Sequence, residues 1–344
     1  MNPLHGIALK IASVALFVVM QSLVKAAAPH VPPGEAVFFR SLFAIPPVLV
    51  WLAWTRQLPS GLKVVSPLSH LWRGTIGTLS MGLSFAALGL LPLPETMALG
   101  YTAPLLAVIF AGLFLGENVR FFRRACVMAG MVGVLIILSP RLSGIGTPAE
   151  ALGAGCALAG AVFGAGAIVT VRAIVATEST SAIVFWFSVT ATVLSLLTLP
   201  FGWVRPSGGE LAMLLMAGIL GGIAQVLLTS SYRHADASVI APFEYSSMIL
   251  ALALGFFVFG EVPTPTMLAG AALIVGAGIV IIWRESQLGL ERARQRQTVP
   301  NTGGYRSSQI VTGPELVSRT AMSAPKRPVA TGTPAPASAA AKCS

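Results

Sequence analysis

Charge is what this sequence has least of. Of 344 residues, only 10% are Asp, Glu, Lys or Arg, against 55% hydrophobic residues and a mean hydropathy of +0.82. Soluble domains carry about 25% charged residues, so this chain has too little polar surface to cover a water-soluble globule. Cysteine is also scarce. Cys126 and Cys156 lie in apolar runs and Cys343 lies in the terminal tail, which gives no disulfide framework. The histidines His5, His30, His70 and His234 are scattered near loop ends and form no metal-ligand spacing. No Walker-type or other glycine-rich phosphate loop occurs, so neither an ATP-driven pump within this chain nor a cofactor is expected. No Ser/His, Ser/Lys or metal set marks an intramembrane enzyme, and no folded basic module points to nucleic acid. The segment 1–10 lacks the positive region and small-residue cleavage site of a signal peptide, so the first apolar run reads as a retained helix.

What the chain does have is long apolar runs. A membrane helix needs about 20 such residues, and ten runs are found, at 6–27, 34–54, 72–90, 93–115, 121–139, 151–173, 180–200, 210–231, 236–259 and 265–284. They lack the alternating period of barrel strands. The fold expected is all-α and integral to the membrane. After Arg284 the composition changes to Ala, Pro, Thr, Ser and Gly, with eight Lys/Arg against three Glu over 285–344. Such a tail buries too little apolar area to offset its ordering entropy and is expected to be disordered; its charge suits anionic lipid headgroups. Placing both termini in the cytoplasm puts eight Lys/Arg in inner loops (Arg56, Lys63, Arg73, Arg120, Arg123, Arg124, Arg172, Arg233) and three in outer ones (Lys25, Arg141, Arg205). That is the orientation the positive-inside rule selects.

The chain also repeats itself. Val37-Phe38-Phe39-Arg40-Ser41 matches Val184-Phe185-Trp186-Phe187-Ser188 at an offset of 147, and Lys25 meets Arg172 at the same offset. Tyr101 meets Tyr245, and Gly116-Glu117 meets Gly260-Glu261, at an offset of 144; Gly133 to Ile137 meets Gly278 to Ile282 at 145. Collinear charged, aromatic and glycine matches over a whole unit are not expected of chance apolar similarity. Five helices per unit is odd, so the second unit enters the membrane inverted. Inverted repeats place a substrate site near the midplane, which two arrangements of the halves expose to opposite sides.

The units close on Leu113-Phe114-Leu115-Gly116-Glu117 and Val258-Phe259-Gly260-Glu261. With this ending and a five-plus-five repeat, the chain resembles the drug/metabolite transporter superfamily, and within it the group with two EamA-type domains. The resemblance covers about residues 5 to 284. It implies repeats at 5–140 and 150–284, a cytoplasmic tail over 285–344, and secondary transport of small metabolites across the bacterial inner membrane. Met20-Gln21-Ser22-Leu23-Val24-Lys25, Phe38-Phe39-Arg40-Ser41 and Leu71-Trp72-Arg73-Gly74 resemble the branch containing riboflavin and S-adenosylmethionine importers. Riboflavin uptake is therefore the first reading. The alternatives are S-adenosylmethionine, amino-acid or drug/metabolite export on the same fold, and a membrane interaction protein that transports nothing.

Ionisable residues at membrane depth are costly and are candidates for function. Arg40 lies in a helix otherwise apolar from Ala36 to Ala53; it pairs either with an acidic substrate group or with Glu35 and backbone carbonyls. Glu244 follows Pro242, which frees a carbonyl and kinks the helix. It takes a proton, balances a cationic substrate, accepts hydrogen bonds from a polar ring, or is a protonated packing residue. Glu117 and Glu261 look like an acid/base pair, but inverted topology sets them a membrane thickness apart, so each is expected to cap a helix or pair with a nearby Arg such as Arg120. Gln21, Gln225, Thr170, Tyr101, Tyr245 and Trp186 supply amide, hydroxyl and aromatic edges at equivalent depths. Gly112-x-x-x-Gly116, Gly160-x-x-x-Gly164 and Gly218-x-x-x-Gly222 permit close helix crossings, within the chain or in a homodimer. The orientation predicts that compartment reporters fused at Gly289 and within 140–150 read opposite sides; the same side at both would remove the inverted repeat.

Overall fold

The computed structural model describes residues 3–58, 60–114, 121–144, 146–174, 177–234 and 240–298. Among these residues every regular element is a helix. The first half runs α1 (Pro3–Ala27), α2 (Pro33–Leu42), α3 (Ile45–Trp54), α4 (Pro67–Leu90), α5 (Leu93–Gly100), α6 (Thr102–Phe114) and α7 (Phe121–Leu142). The second runs α8 (Pro148–Ile174), α9 (Thr180–Ser195), α10 (Gly208–His234), α11 (Ser246–Phe259) and α12 (Pro265–Thr298). Proline opens many of them, because the first turn has spare N–H groups and tolerates its ring.

Two expected continuous spans are broken, and proline explains both. Pro46 and Pro47 cannot donate to the carbonyls of Leu42 and Phe43, so the second span divides into α2 and α3. Pro104 leaves the Gly100 carbonyl without its helical partner, and the fourth span divides at Tyr101 into α5 and α6. Pro242 likewise sits in a short 3-10 turn, Ala241–Tyr245, ahead of α11.

Nine helical stretches among the described residues are long and apolar enough to cross a membrane. The tenth, α4, carries His70 and Arg73 among several Gly, Ser and Thr residues and is less apolar. Its 24 residues still extend roughly 36 Å at 1.5 Å per residue, beyond the ~30 Å hydrocarbon core. The tail departs from expectation at its start. α12 does not stop at Arg284 but continues to Thr298, through a segment rich in the good helix formers Glu, Gln, Leu and Arg.

Packing follows the repeat. α1 lies along α10 and α4 along α8, two contacts that exchange when the halves are exchanged. α2 packs on α9, and α5 on α11, each pairing one element with its own counterpart. The glycine motifs serve the α4–α8 contact and a further one, of α10 with α2 and α3. Gly160 and Gly164 face Ser80 and Ser84 of α4, while Gly218 and Gly222 face Phe43 and Ala44 beside α2 and α3; Gly116 lies outside the described residues. The loop before α4 is pinned by Glu178, whose Oε1 accepts from the N–H groups of Val65 at 2.9 Å and Ser66 at 2.7 Å. Burial opposes ionisation of this carboxyl, but those N–H groups and the His70 side chain outweigh burial and hold it below the usual carboxylate range.

At the α7–α12 crossing, a methyl on Gly133 would stand 2.7 Å from the carbonyl oxygen of Gly270, which is backbone and cannot step aside. Gly155 on α8 has nothing within 4 Å. Gly133→Ala is expected to cost about 1–3 kcal/mol, lowering the thermal midpoint in detergent, whereas Gly155→Ala is neutral or slightly stabilising. Equal midpoints for the two variants would mean the crossing has slack.

Candidate functional site

A cavity of about 630 Å³ opens between the halves. α1 contributes Lys10, Met20 and Gln21 to it, α2 contributes Arg40, and the α5–α6 break contributes Gly100 and Tyr101. The turn before α11 brings Glu244 and Tyr245, and Met81, Phe85 and Met97 supply apolar wall. Broken helices position much of this set. Backbone that is irregular at membrane depth is tolerated where it lines a cavity, and here the interruptions at Tyr101 and at Ala241–Tyr245 both face it.

Five of the sequence candidates, Gln21, Arg40, Tyr101, Glu244 and Tyr245, are therefore neighbours on one wall system. Three are placed elsewhere. The Thr170 hydroxyl donates to the Gly166 carbonyl of its own helix at 2.8 Å. Trp186 donates its indole N–H to the Leu62 carbonyl at 3.1 Å and borders a separate hollow beside His70 and Thr190. Gln225 is not among the cavity-lining residues.

Glu244 is not a lone carboxylate. Lys10, buried on α1, forms an ion pair with its Oε2, while 48% of the Glu244 side chain remains exposed. Sequence reasoning missed Lys10, although a lysine seven residues into an apolar helix was a signal of the same kind as Arg40. The aromatic pair is formed by repeat counterparts. The Tyr101 and Tyr245 rings meet edge to face with centroids 5.1 Å apart, and the Tyr101 hydroxyl hydrogen-bonds Ser247.

Arg40 does not pair with Glu35. The Glu35 carboxylate instead accepts from the Val204 N–H at 3.1 Å. Arg40 is only 6% exposed and its Nε has no hydrogen-bond partner. An isolated guanidinium at membrane depth costs about 2.5–3.5 kcal/mol on insertion scales, and Arg40 is placed on the cavity wall, which Lys10, Gln21 and Glu244 also line.

Glu261 corrects a second expectation. It neither caps the following helix nor pairs with a neighbouring arginine; its Oε1 lies 2.9 Å from Lys25 Nζ and its Oε2 accepts from the Leu93 N–H at 2.7 Å. Lys25 also donates to the carbonyls of Leu88 and Leu91. Nearby, Arg141 forks onto Glu95, with Nη2 to Oε2 at 2.9 Å. Lys10 and Lys25 stand roughly 22 Å apart along α1, so these ties lie toward one end of the bundle and the Lys10–Glu244 pair toward the other. Glu117 and Arg120 lie outside the described residues. The histidines are less scattered than expected, since the His5 and His234 rings meet at 4.7 Å. No group of three metal-binding side chains occurs among the described residues.

The profile of the EamA-like transporter family matches residues 4–139 and 151–284. A pseudopaline exporter from Pseudomonas aeruginosa is 31% identical over 80% of this chain and 95% of its own length. A riboflavin transporter from Rhizobium johnstonii is 33% identical over 74% of this chain and 82% of its own. An S-adenosylmethionine uptake transporter from Rickettsia felis is 28% identical over 74% and 84%. One crystal structure, 22% identical, superposes with a TM-score of 0.59 over 82% of this chain and 98% of that one, a likeness of fold.

The Lys10–Glu244 pair makes a stability prediction. Removing one partner leaves a charge without its counterion, so Lys10→Met and Glu244→Gln should each destabilise, and the double variant should lose less than the two losses combined. A coupling of about 1–3 kcal/mol is expected from thermal unfolding of the four proteins in detergent. Strict additivity would mean the two groups hold their places independently.

Proposed function

The chain belongs to the EamA-like transporter family, and from that premise we propose that it moves a small polar or heterocyclic metabolite across the membrane by exposing the central cavity to each side in turn. The observation that carries this reading is the cavity itself. Both repeats contribute to it, it is about 630 Å³, within the range that encloses drug-sized ligands, and it gathers Lys10, Arg40 and Glu244 in a chain otherwise poor in charge. With both termini cytoplasmic, the end tied by Lys25–Glu261 and Arg141–Glu95 faces outward and the Lys10–Glu244 end faces inward. Driving energy comes from a gradient of substrate or ion, with Glu244 as the candidate coupling residue.

Riboflavin uptake remains the finer reading for the first assay. The Tyr101–Tyr245 pair with Met81, Phe85 and Met97 suits the face of a flat ring, and the Gln21 amide both donates and accepts at a heterocycle's edge. The relative named as a riboflavin transporter supports it. The relative named as a pseudopaline exporter supports the opposite direction and a different cargo, so influx and efflux both belong in the assay.

The test is initial uptake and exchange in vesicles holding equal amounts of each variant, offered labelled riboflavin, S-adenosylmethionine and a panel of amino acids and dicarboxylates. Glu244→Gln keeps shape and hydrogen bonding but removes the titratable charge. It is expected to lower uptake of the transported compound at least tenfold and to flatten its pH dependence, while Thr170→Ala, outside the cavity, leaves it within twofold. Under proton coupling, Glu244→Gln loses accumulation and keeps exchange; under charge pairing with substrate, both fall. Wild-type rates and pH profile in Glu244→Gln would remove Glu244 from the site.

A further inference from the structure

Two guanidinium groups share one aromatic ring. The guanidinium carbon of Arg40 on α2 lies 6.0 Å from the centroid of Phe187 on α9, and that of Arg73 on α4 lies 4.4 Å from it. Arg40 Nε and both Nε and Nη1 of Arg73 are buried without a hydrogen-bond partner. Among the described residues no carboxylate lies within ion-pair distance of either arginine, and the two charges repel each other. Glycine lets these groups pack closely. A methyl on Gly221 would stand 3.3 Å from Arg40 Nε, and one on Gly77 would stand 2.8 Å from the Phe187 ring.

A ring face attracts cations, but it cannot accept the directed N–H bonds of two guanidinium forks. Nor does it cancel two like charges. What completes this arrangement is an acceptor that carries negative charge and several lone pairs, the partner whose geometry a guanidinium fork matches.

We propose that Arg40 and Arg73 form an oxyanion site beside the cavity and hold the carboxylate or phosphate of the transported metabolite. The assignment rests on the transport reading above and narrows it: the cargo carries an acidic group, which neutral riboflavin lacks. Arg40 reaches the cargo from the cavity wall, and Arg73 reinforces it through the shared ring and the added charge. An anionic lipid headgroup offers the same chemistry, so the experiment separates the two sources.

The full-length protein is placed in nanodiscs of phosphatidylcholine, and its thermal midpoint is read with inorganic phosphate, succinate or neutral succinamide at matched ionic strength. Phosphate and succinate are expected to raise the midpoint by several degrees and succinamide to leave it unchanged. Arg40→Gln and Arg73→Gln should each lose the shift, while Arg56→Gln, exposed at the end of α3, keeps it. If a glutamine variant does not fold, Arg40→Lys and Arg73→Lys keep the charge without the fork, and a half-saturating succinate concentration raised at least fivefold supports the site. No arginine-dependent shift with either anion overturns it. A shift produced by phosphatidylglycerol nanodiscs alone, which then abolishes the response to soluble anions, assigns the arginines to a headgroup and overturns the cargo assignment. Uptake of neutral riboflavin that Arg40→Gln leaves intact overturns this proposal and spares the transport reading. An anion shift with no vesicle transport of any compound removes the transport reading and, with it, the cargo.

Discussion

A charge at membrane depth must be compensated by a partner, a backbone group or a wet wall, and the way this chain meets that requirement organises its interior. Its buried and half-buried carboxylates are set against groups on other elements. Glu95 takes Arg141, Glu261 takes Lys25 and the start of α5, and Glu35 takes the backbone ahead of α10. In apolar surroundings there is little hydrophobic driving force between helices, so such ties help to fix which helix ends meet. Breaking a buried pair by removing one member typically costs about 3–5 kcal/mol. The ends are therefore held by a few polar connections, while the helix flanks between them meet through small residues. Lys10 and Glu244 differ from the other pairs because half of the carboxylate side chain stays open to the cavity.

The interrupted helices serve the same end. Prolines at 46, 47, 104 and 242 remove N–H donors at membrane depth, which would be unfavourable against lipid. Two of the resulting breaks, at Tyr101 and at Ala241–Tyr245, lie on the cavity, where polar neighbours are at hand. Sequence thus sets the cavity's location twice, once through the prolines and once through the charged residues beside them.

Much of this was legible in the sequence. Apolar runs gave the helices, the matches at offsets of 144 and 147 paired the right elements, and intramembrane charge singled out Arg40 and Glu244. Helix rotation was not legible. A water-exposed helix shows an apolar stripe that tells which face is buried, but a membrane helix is apolar on nearly every face, and depth alone cannot say where Thr170, Gln225 or Trp186 points. Lys10 lies near the N-terminus and Arg73 near a loop, where a positive charge reads as an ordinary helix flank. Glu261 was read as a span end, yet its partners Lys25 and Leu93 come from the other repeat, and no local pattern announces contacts at a separation of 168 residues.

The repeat also shows how chemistry was laid onto a symmetric frame. Tyr101 and Tyr245 are counterparts, both line the cavity, and their rings touch. At other positions the counterparts have diverged. Glu244 answers to Gly100, and at the 147-residue offset Lys10 answers to Ala157; all four line the cavity. Arg40 answers to Phe187, and the two are in contact. In each of these cases the charge sits on one copy and a small or aromatic residue on the other. A pseudo-two-fold frame needs matched packing, so that its two arrangements are close in energy and neither traps the protein. A ligand needs the reverse, a site whose two sides differ, so that its own ends are told apart. Keeping the aromatic contact common to both halves while placing the cavity charges Lys10, Arg40 and Glu244 on only one copy each satisfies both demands. Adding a like charge at Gly100 or Ala157 would give up more than local electrostatics: it would set like charges against each other on the same cavity wall.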